Sequence, residues 1–257
     1  MNVLRSIVVA FSMFSRIPTP RVEWEAKNMR YALAALPLVG CVIGGVLFGW
    51  GWLSGRLSFG APLFAAGMTL LPLLITGGIH MDGFCDTVDA LSSHAPPERK
   101  REILKDSHVG AFALIATGGY LLAYFALSTE LMRDWKNLLS ACLIPVAARA
   151  VSGFVSICSS ADGSGLLHAM RGAARHTVAG IALLAWFVSS AAATVAVSPV
   201  AGTGMTAAAV VCAGTVYRMS KKEFGGMSGD ISGYLLRVTE LSMLAVLVFI
   251  QKAVNVV

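Results

Sequence analysis

Asp82, Asp86 and Asp89 lie in the stretch Thr76-Gly-Gly-Ile-His-Met-Asp-Gly-Phe-Cys-Asp-Thr-Val-Asp-Ala-Leu91. On a helix they occupy i, i+4 and i+7 and share one face. Carboxylates at that spacing repel, so the arrangement is unfavourable unless a cation offsets it. The competing reading is a solvated acidic face without a ligand. Against it, the intervening residues include Phe84, Cys85, Val88 and Leu91, and no Lys or Arg occurs between Arg56 and Arg99. The spacing therefore predicts a divalent-metal site, and oxygen-only ligands favour Mg2+ or Mn2+ over Zn2+.

Two other segments carry residues of matching chemistry. Asp106, Ser107 and His108 stand just before Gly110 and an apolar run. Asp106 is placed to complete the metal site, and the start of the following helix favours phosphate. His108 reads either as a phosphate contact or as a hydrated interfacial histidine, and Arg99 to Arg101 read as an amphipathic surface helix. The second segment is Lys221-Lys-Glu-Phe-Gly-Gly-Met-Ser-Gly-Asp-Ile-Ser-Gly233. Its Gly225, Gly226, Ser228 and Gly229 would let backbone amides approach an anion, with Lys221 and Lys222 supplying charge. Asp230, Arg237 and Glu240 recur at i, i+7 and i+10 and can share a helix face. Arg149, within an apolar run, either holds a phosphate or pairs with one of the carboxylates; a purely structural ion pair is the plainer alternative.

The elements that must position these residues follow from composition. Of 257 residues, 56% are hydrophobic and 13% charged, against roughly 25% charged in soluble domains. The mean hydropathy is +0.72. These values exclude a disordered chain, a collagen-like chain and a small secreted disulfide scaffold. They predict an all-α integral membrane protein, a single domain over 1–257. The net charge of +6 comes without a basic stripe interleaved with aromatics, so nucleic acid is not an expected partner. Cys41, Cys85, Cys142, Cys158 and Cys212 show no metal-binding spacing, and four sit in apolar runs where cysteine packs as a small hydrophobe.

Seven candidate spans follow from the need for about 20 apolar residues per crossing: 32–53, 59–79, 109–127, 137–158, 177–197, 199–217 and 236–254. Residues 1–31 read as an interfacial or re-entrant segment, its helix stopped by Pro18 and Pro20, and not as a cleaved signal peptide. Gly40, Gly44, Gly45 and Gly49 in the first span read as helix-packing positions. In this arrangement one side of the membrane holds five, four, two and four basic residues, 15 of the 20, and the other holds only Arg56, Arg133, Lys136 and Lys252. That asymmetry predicts a cytoplasmic N-terminus. His80, Asp82, Asp86, Asp89, Asp106, Asp162 and Asp230 fall on the same side, with Glu240 just beneath it. The connections 80–108 and 218–235 would then be cytoplasmic catalytic loops.

The run from Gly77 resembles the signature of the cobalamin synthases, close to G-G-x-H-x-D-G-x-x-D-T-x-D-G. Gly77, Gly78, His80, Asp82, Gly83, Asp86, Thr87 and Asp89 match, and Ala90 stands where the family has glycine. Asp106, Ser107 and Gly110 match a D-S-x-x-G element, and Gly225 to Asp230 match G-G-x-[ST]-G-D. Arg16-Ile-Pro and the Leu36-Pro-Leu-Val-Gly40 run are also similar, so the resemblance extends over nearly the whole chain. It implies a polytopic enzyme of the bacterial inner membrane that joins adenosylcobinamide-GDP to alpha-ribazole, or its 5′-phosphate, with release of GMP. It also implies a homo-oligomer or a complex with other cobalamin-assembly enzymes as a possible state. On this reading Asp82, Asp86, Asp89 and Asp106 hold Mg2+, with Asp230 as the alternative to Asp106. Asp89, His80 and Asp106 are the catalytic candidates, with Asp89 as general base. The second enzyme reading is a CDP-alcohol phosphotransferase, whose D-G-x-x-A-R motif begins similarly but loses its A-R pair to Cys85-Asp86 here. The third reading, a transporter, would place its ionisable groups near the bilayer midplane.

Overall fold

A computed structural model describes residues 2–106, 108–159 and 165–254, with the backbone alone at Asn2. Ser107 and Asp162, both named above, lie outside the described residues. The described chain is all helix, without a β-strand. In order it runs α1 (Asn2–Phe14), α2 (Ala26–Met29), α3 (Leu36–Arg56), α4 (Ala61–Thr76), α5 (Ile79–Ser92) and α6 (Pro97–Ile103). It continues as α7 (Ala111–Glu130), α8 (Trp135–Cys158), α9 (Gly165–Ala173), α10 (His176–Val197), α11 (Pro199–Phe224) and α12 (Gly229–Val254).

Six of these, α3, α7, α8, α10, α11 and α12, are long and apolar enough to cross a membrane. The seventh crossing needs α4 together with the start of α5. At 16 residues, α4 is about 24 Å long, short of a hydrocarbon core of roughly 30 Å. The chain then bends by 95°, and the rest of α5 lies across the ends of the crossing helices. Its contacts show this: Gly83 meets the first turn of α12 and Asp89 the first turn of α7. The stretches 80–108 and 218–235, read from sequence as loops, are therefore largely helical. Between α11 and α12 only residues 225–228 are non-helical.

Each boundary has a local cause. Pro37 and Pro199 sit in the first turns of α3 and α11, where a missing N–H costs nothing. Asp134 caps α8 by accepting from the amides of Lys136 and Asn137. At Phe14, α1 ends, four residues before Pro18, and the amide of Arg16 then donates to Ile75 O at 2.7 Å. That bond ties the amino-terminal segment to the end of α4.

At the centre, α8 packs against α3, α10 and α12. Two glycines allow its approach to α3. A Cβ at Gly40 would stand 2.6 Å from Pro145 O, and one at Gly44 would stand 2.3 Å from Cys142 O. Among the described residues a Cβ at Gly45 or Gly49 would meet no other part of the bundle within 4 Å, so only the first two of the four are packing positions there. In lipid, such close backbone contact is a main source of helix association. Gly44→Val is expected to destabilise the protein by about 1–3 kcal/mol through overpacking, while Gly45→Val stays within about 0.5 kcal/mol of wild type. Thermal unfolding of both variants in detergent checks this; equal midpoints would contradict the packing.

Candidate active site

Two consecutive glycines in the left-handed region build the site. Gly77 (φ +66°) ends α4 and Gly78 (φ +83°) starts α5. Glycine takes this conformation readily where other residues are strained. Past the turn, α5 crosses α12 at glycine on both sides. A Cβ at Gly83 would be 2.7 Å from Asp230 Cα, and one at Gly233 would be 3.0 Å from His80 O. Phe84 stacks on Tyr234 at 5.5 Å and leans on Tyr120 at 5.4 Å, which fixes the rotation of α5.

This crossing gathers Asp82, Asp86 and Asp230. Asp86 is half-buried, and its carboxyl is pushed up to about 7 by burial first, then by the charges of Asp82, Asp230 and Asp89. Among the described residues none of Asp82, Asp86 and Asp230 forms an ion pair. Nor does any group of three His, Cys, Asp or Glu side chains among them stand ready to enclose a metal ion. The donor set still suits Mg2+, which binds through one or two carboxylates and completes its shell with water and substrate phosphates.

A cavity of about 290 Å³ opens beside Asp82 and Asp230, and Asp86 does not line it. His80 and Asp82 of α5 line it together with Ser228, Gly229, Asp230 and Ser232 at the start of α12. Arg101 of α6 and the nearby Lys105 line it as well, and Phe14, Leu33, Leu36, Leu167 and Met170 make it apolar elsewhere. His80 is 6% exposed, stacks on Phe14 at 5.8 Å, and its buried Nδ1 has no hydrogen-bond partner among the described residues.

Other residues named from sequence stand elsewhere. Asp89 accepts from the amides of Gly110 at 2.5 Å and Ala113 at 2.9 Å, so both its oxygens cap α7 across 21 and 24 residues of chain. Gly110 has no Cβ because one would lie 2.5 Å from Asp89 Oδ1. Asp106 is exposed, and among the described residues its carboxyl bonds only to His108, through its amide at 3.0 Å and Nδ1 at 2.6 Å. That partner holds the Asp106 carboxyl below its ordinary range. Lys221 lies over the Tyr217 ring at 4.5 Å, and Lys222 pairs with Glu223 at the surface. The amides of Gly225 and Gly226 donate to Lys221 O and Ser220 O and close the end of α11. They are engaged there and not offered to an anion. Ser228, by contrast, does line the cavity, and its Oγ accepts from the Ile231 amide at the start of α12.

Arg149, Arg237 and Glu240 meet inside the bundle. Glu240 accepts from Arg149 Nη1 at 3.0 Å and from Arg237 Nη1 at 2.8 Å, and all three side chains are at most 3% exposed. None lines the 290 Å³ cavity. Arg101 and Lys105 were missed from sequence, and the available signal was their i, i+4 spacing in a segment read as plain surface helix.

The role of Asp89 is testable. Asp89→Ala should cost about 0.5–2 kcal/mol of stability as a lost helix cap, whereas Asp89→Asn keeps an acceptor and both activity and most of the stability. Parallel melting and turnover measurements decide it; a turnover loss in Asn as large as in Ala would return Asp89 to the chemistry.

The comparisons with known proteins can now be set beside this geometry. The sequence model of the cobalamin-5-phosphate synthase family matches residues 6–248. The adenosylcobinamide-GDP ribazoletransferase of Lachnoclostridium phytofermentans is 40% identical over 242 residues, 94% of this chain and 92% of that protein. The proteins of the same name from Clostridium perfringens strain 13 and Geobacillus kaustophilus are each 30% identical, covering 93% and 96% of this chain and 95% and 96% of their own. No solved structure matches. Through a match that begins inside α1 and ends inside α12, the chain belongs to the cobalamin-5-phosphate synthase family.

Proposed function

We propose that this chain joins adenosylcobinamide-GDP to alpha-ribazole, or to its 5′-phosphate, at the cavity between α5, α6 and α12. The observation that carries the reading is the meeting of Asp82 and Asp86 with Asp230 through glycine contacts, beside a cavity that also has cationic lining. Asp82 and Asp86 would hold Mg2+, with Asp230 beside them as a further negative charge. When bound, the ion offsets the charge of the diphosphate. His80, which lines the cavity, accepts the proton of the attacking ribose hydroxyl through the edge of its ring that faces the substrate, since Nδ1 itself is buried. The hydroxyl oxygen bonds to the phosphorus on the cobinamide side, the bond from that phosphorus to the bridging oxygen breaks, and GMP leaves. A phosphodiester remains. The apolar residues around the cavity exclude bulk water and so limit hydrolysis of the diphosphate.

The basic asymmetry of the chain supports a cytoplasmic N-terminus and cytoplasmic cavity in a bacterial inner membrane. In a bacterium lacking its own transferase, expression of this chain is expected to restore cobalamin-dependent growth. A strain that makes the protein in its membrane and still requires added cobalamin would contradict the reading.

A further inference from the structure

Lys221 and Lys222, nominated from sequence to bind the diphosphate, do not line the cavity, so its anion must be held by other groups. We propose that Lys105 and Arg101 form the diphosphate-binding side of the cavity, opposite the carboxylates, an inference that rests on the function proposed above. Both residues line the same cavity as Asp82 and Asp230. Among the described residues Lys105 pairs with no carboxylate, although two acidic side chains share that cavity. Arg101 pairs with Glu98 at 3.4 Å through Nη2, so among the described residues Lys105 is the cation there without a carboxylate partner. Charges of both signs around one cavity suit a ligand that brings its own anion together with a cation. A diphosphate bound with a divalent ion is such a ligand.

The segment that presents these cations is anchored. Lys100 is buried and pairs with Glu223 at 2.5 Å, and Arg101 Nη1 donates to Phe224 O at 3.0 Å. Both partners lie at the end of α11, so α6 is fixed to the joint that leads into Ser228, Gly229 and Asp230. Gly225 (φ +76°) leaves room for this: a Cβ there would stand 3.0 Å from Arg101 Nη1. Arg101 therefore has two tasks, a positive charge at the cavity and a tie between α6 and the α11–α12 joint. Lys105 has only the first, which makes it the cleaner probe.

Lys105→Met should raise the KM for adenosylcobinamide-GDP by about ten- to a hundredfold, the worth of one charge-assisted hydrogen bond. The KM for alpha-ribazole should change less than twofold. Lys105→Arg should recover most of the loss, and Lys221→Met should behave as wild type. On the unmodified protein, GDP with Mg2+ should protect Lys105, but not Lys221 or Lys222, from an amine-reactive reagent read by mass spectrometry. An unchanged KM in Lys105→Met, or labelling of Lys105 that GDP does not slow, would overturn the inference. Wild-type protein that forms no product at all would instead overturn the functional reading on which it rests.

Discussion

Asp82→Asn and Asp86→Asn should each reduce transfer at least about a hundredfold while the protein remains folded. Each substitution removes one negative charge and keeps the shape of the side chain. A metal contributes several kcal/mol to stabilising the charge of phosphoryl transfer, and each 1.4 kcal/mol is tenfold in rate. Loss of one ligand therefore shows in turnover. Stability should be unchanged or slightly improved, because the three carboxylates raise one another's energy and no ion pair is lost with either. Turnover across a Mg2+ titration, beside thermal unfolding of the same samples, separates the two effects. Near-normal turnover in either variant at saturating Mg2+ would remove that residue from the metal site.

Glu240→Ala should have the opposite signature, a large loss of stability. Glu240 is the single carboxylate between the guanidiniums of Arg149 and Arg237, and all three groups are buried. Among the described residues Nε and Nη2 of both arginines lack a hydrogen-bond partner, and the neutral Tyr120 hydroxyl beside Arg237 cannot replace the charge of a carboxylate. Removing Glu240 leaves two buried cations facing each other, and breaking a buried pair costs about 3–5 kcal/mol. The expected readout is a collapse in the yield of monodisperse protein from detergent extracts and a fall in the unfolding midpoint. Replacing the whole cluster with Arg149→Met, Arg237→Met and Glu240→Leu should recover stability, since apolar residues of similar volume tolerate the site. A Glu240→Ala protein as stable as wild type would show that the charges are neutralised otherwise.

These contrasts show which parts of the molecule could be read from sequence. The crossing helices could, because about 20 apolar residues in a row announce themselves. Their ends could not. α11 continues as helix through Arg218, Lys221 and Lys222, well past the point where apolar residues stop, since backbone hydrogen bonding does not end where lipid does. The acidic site was legible as a motif because Asp82 and Asp86 share a helix. Its third member, Asp230, could be named as an alternative to Asp106 at the metal but not placed against α5. What joins it to α5 is the missing Cβ of Gly83, a contact across the fold that no local spacing reports. The same limit explains Asp89. Its spacing from Asp86 fits the acidic face, yet its oxygens reach the amides of Gly110 and Ala113. Arg149 and Glu240, 91 residues apart, could be named as possible partners but not paired.

The most direct measurement is product formation by the purified protein in detergent with adenosylcobinamide-GDP, alpha-ribazole and Mg2+. Release of GMP together with a product whose single phosphodiester joins the two substrates is expected, stopping when EDTA is added and resuming with excess Mg2+. Substrates recovered intact by a folded preparation, or equal turnover with the metal chelated, would contradict a carboxylate-held ion at the meeting of α5 and α12.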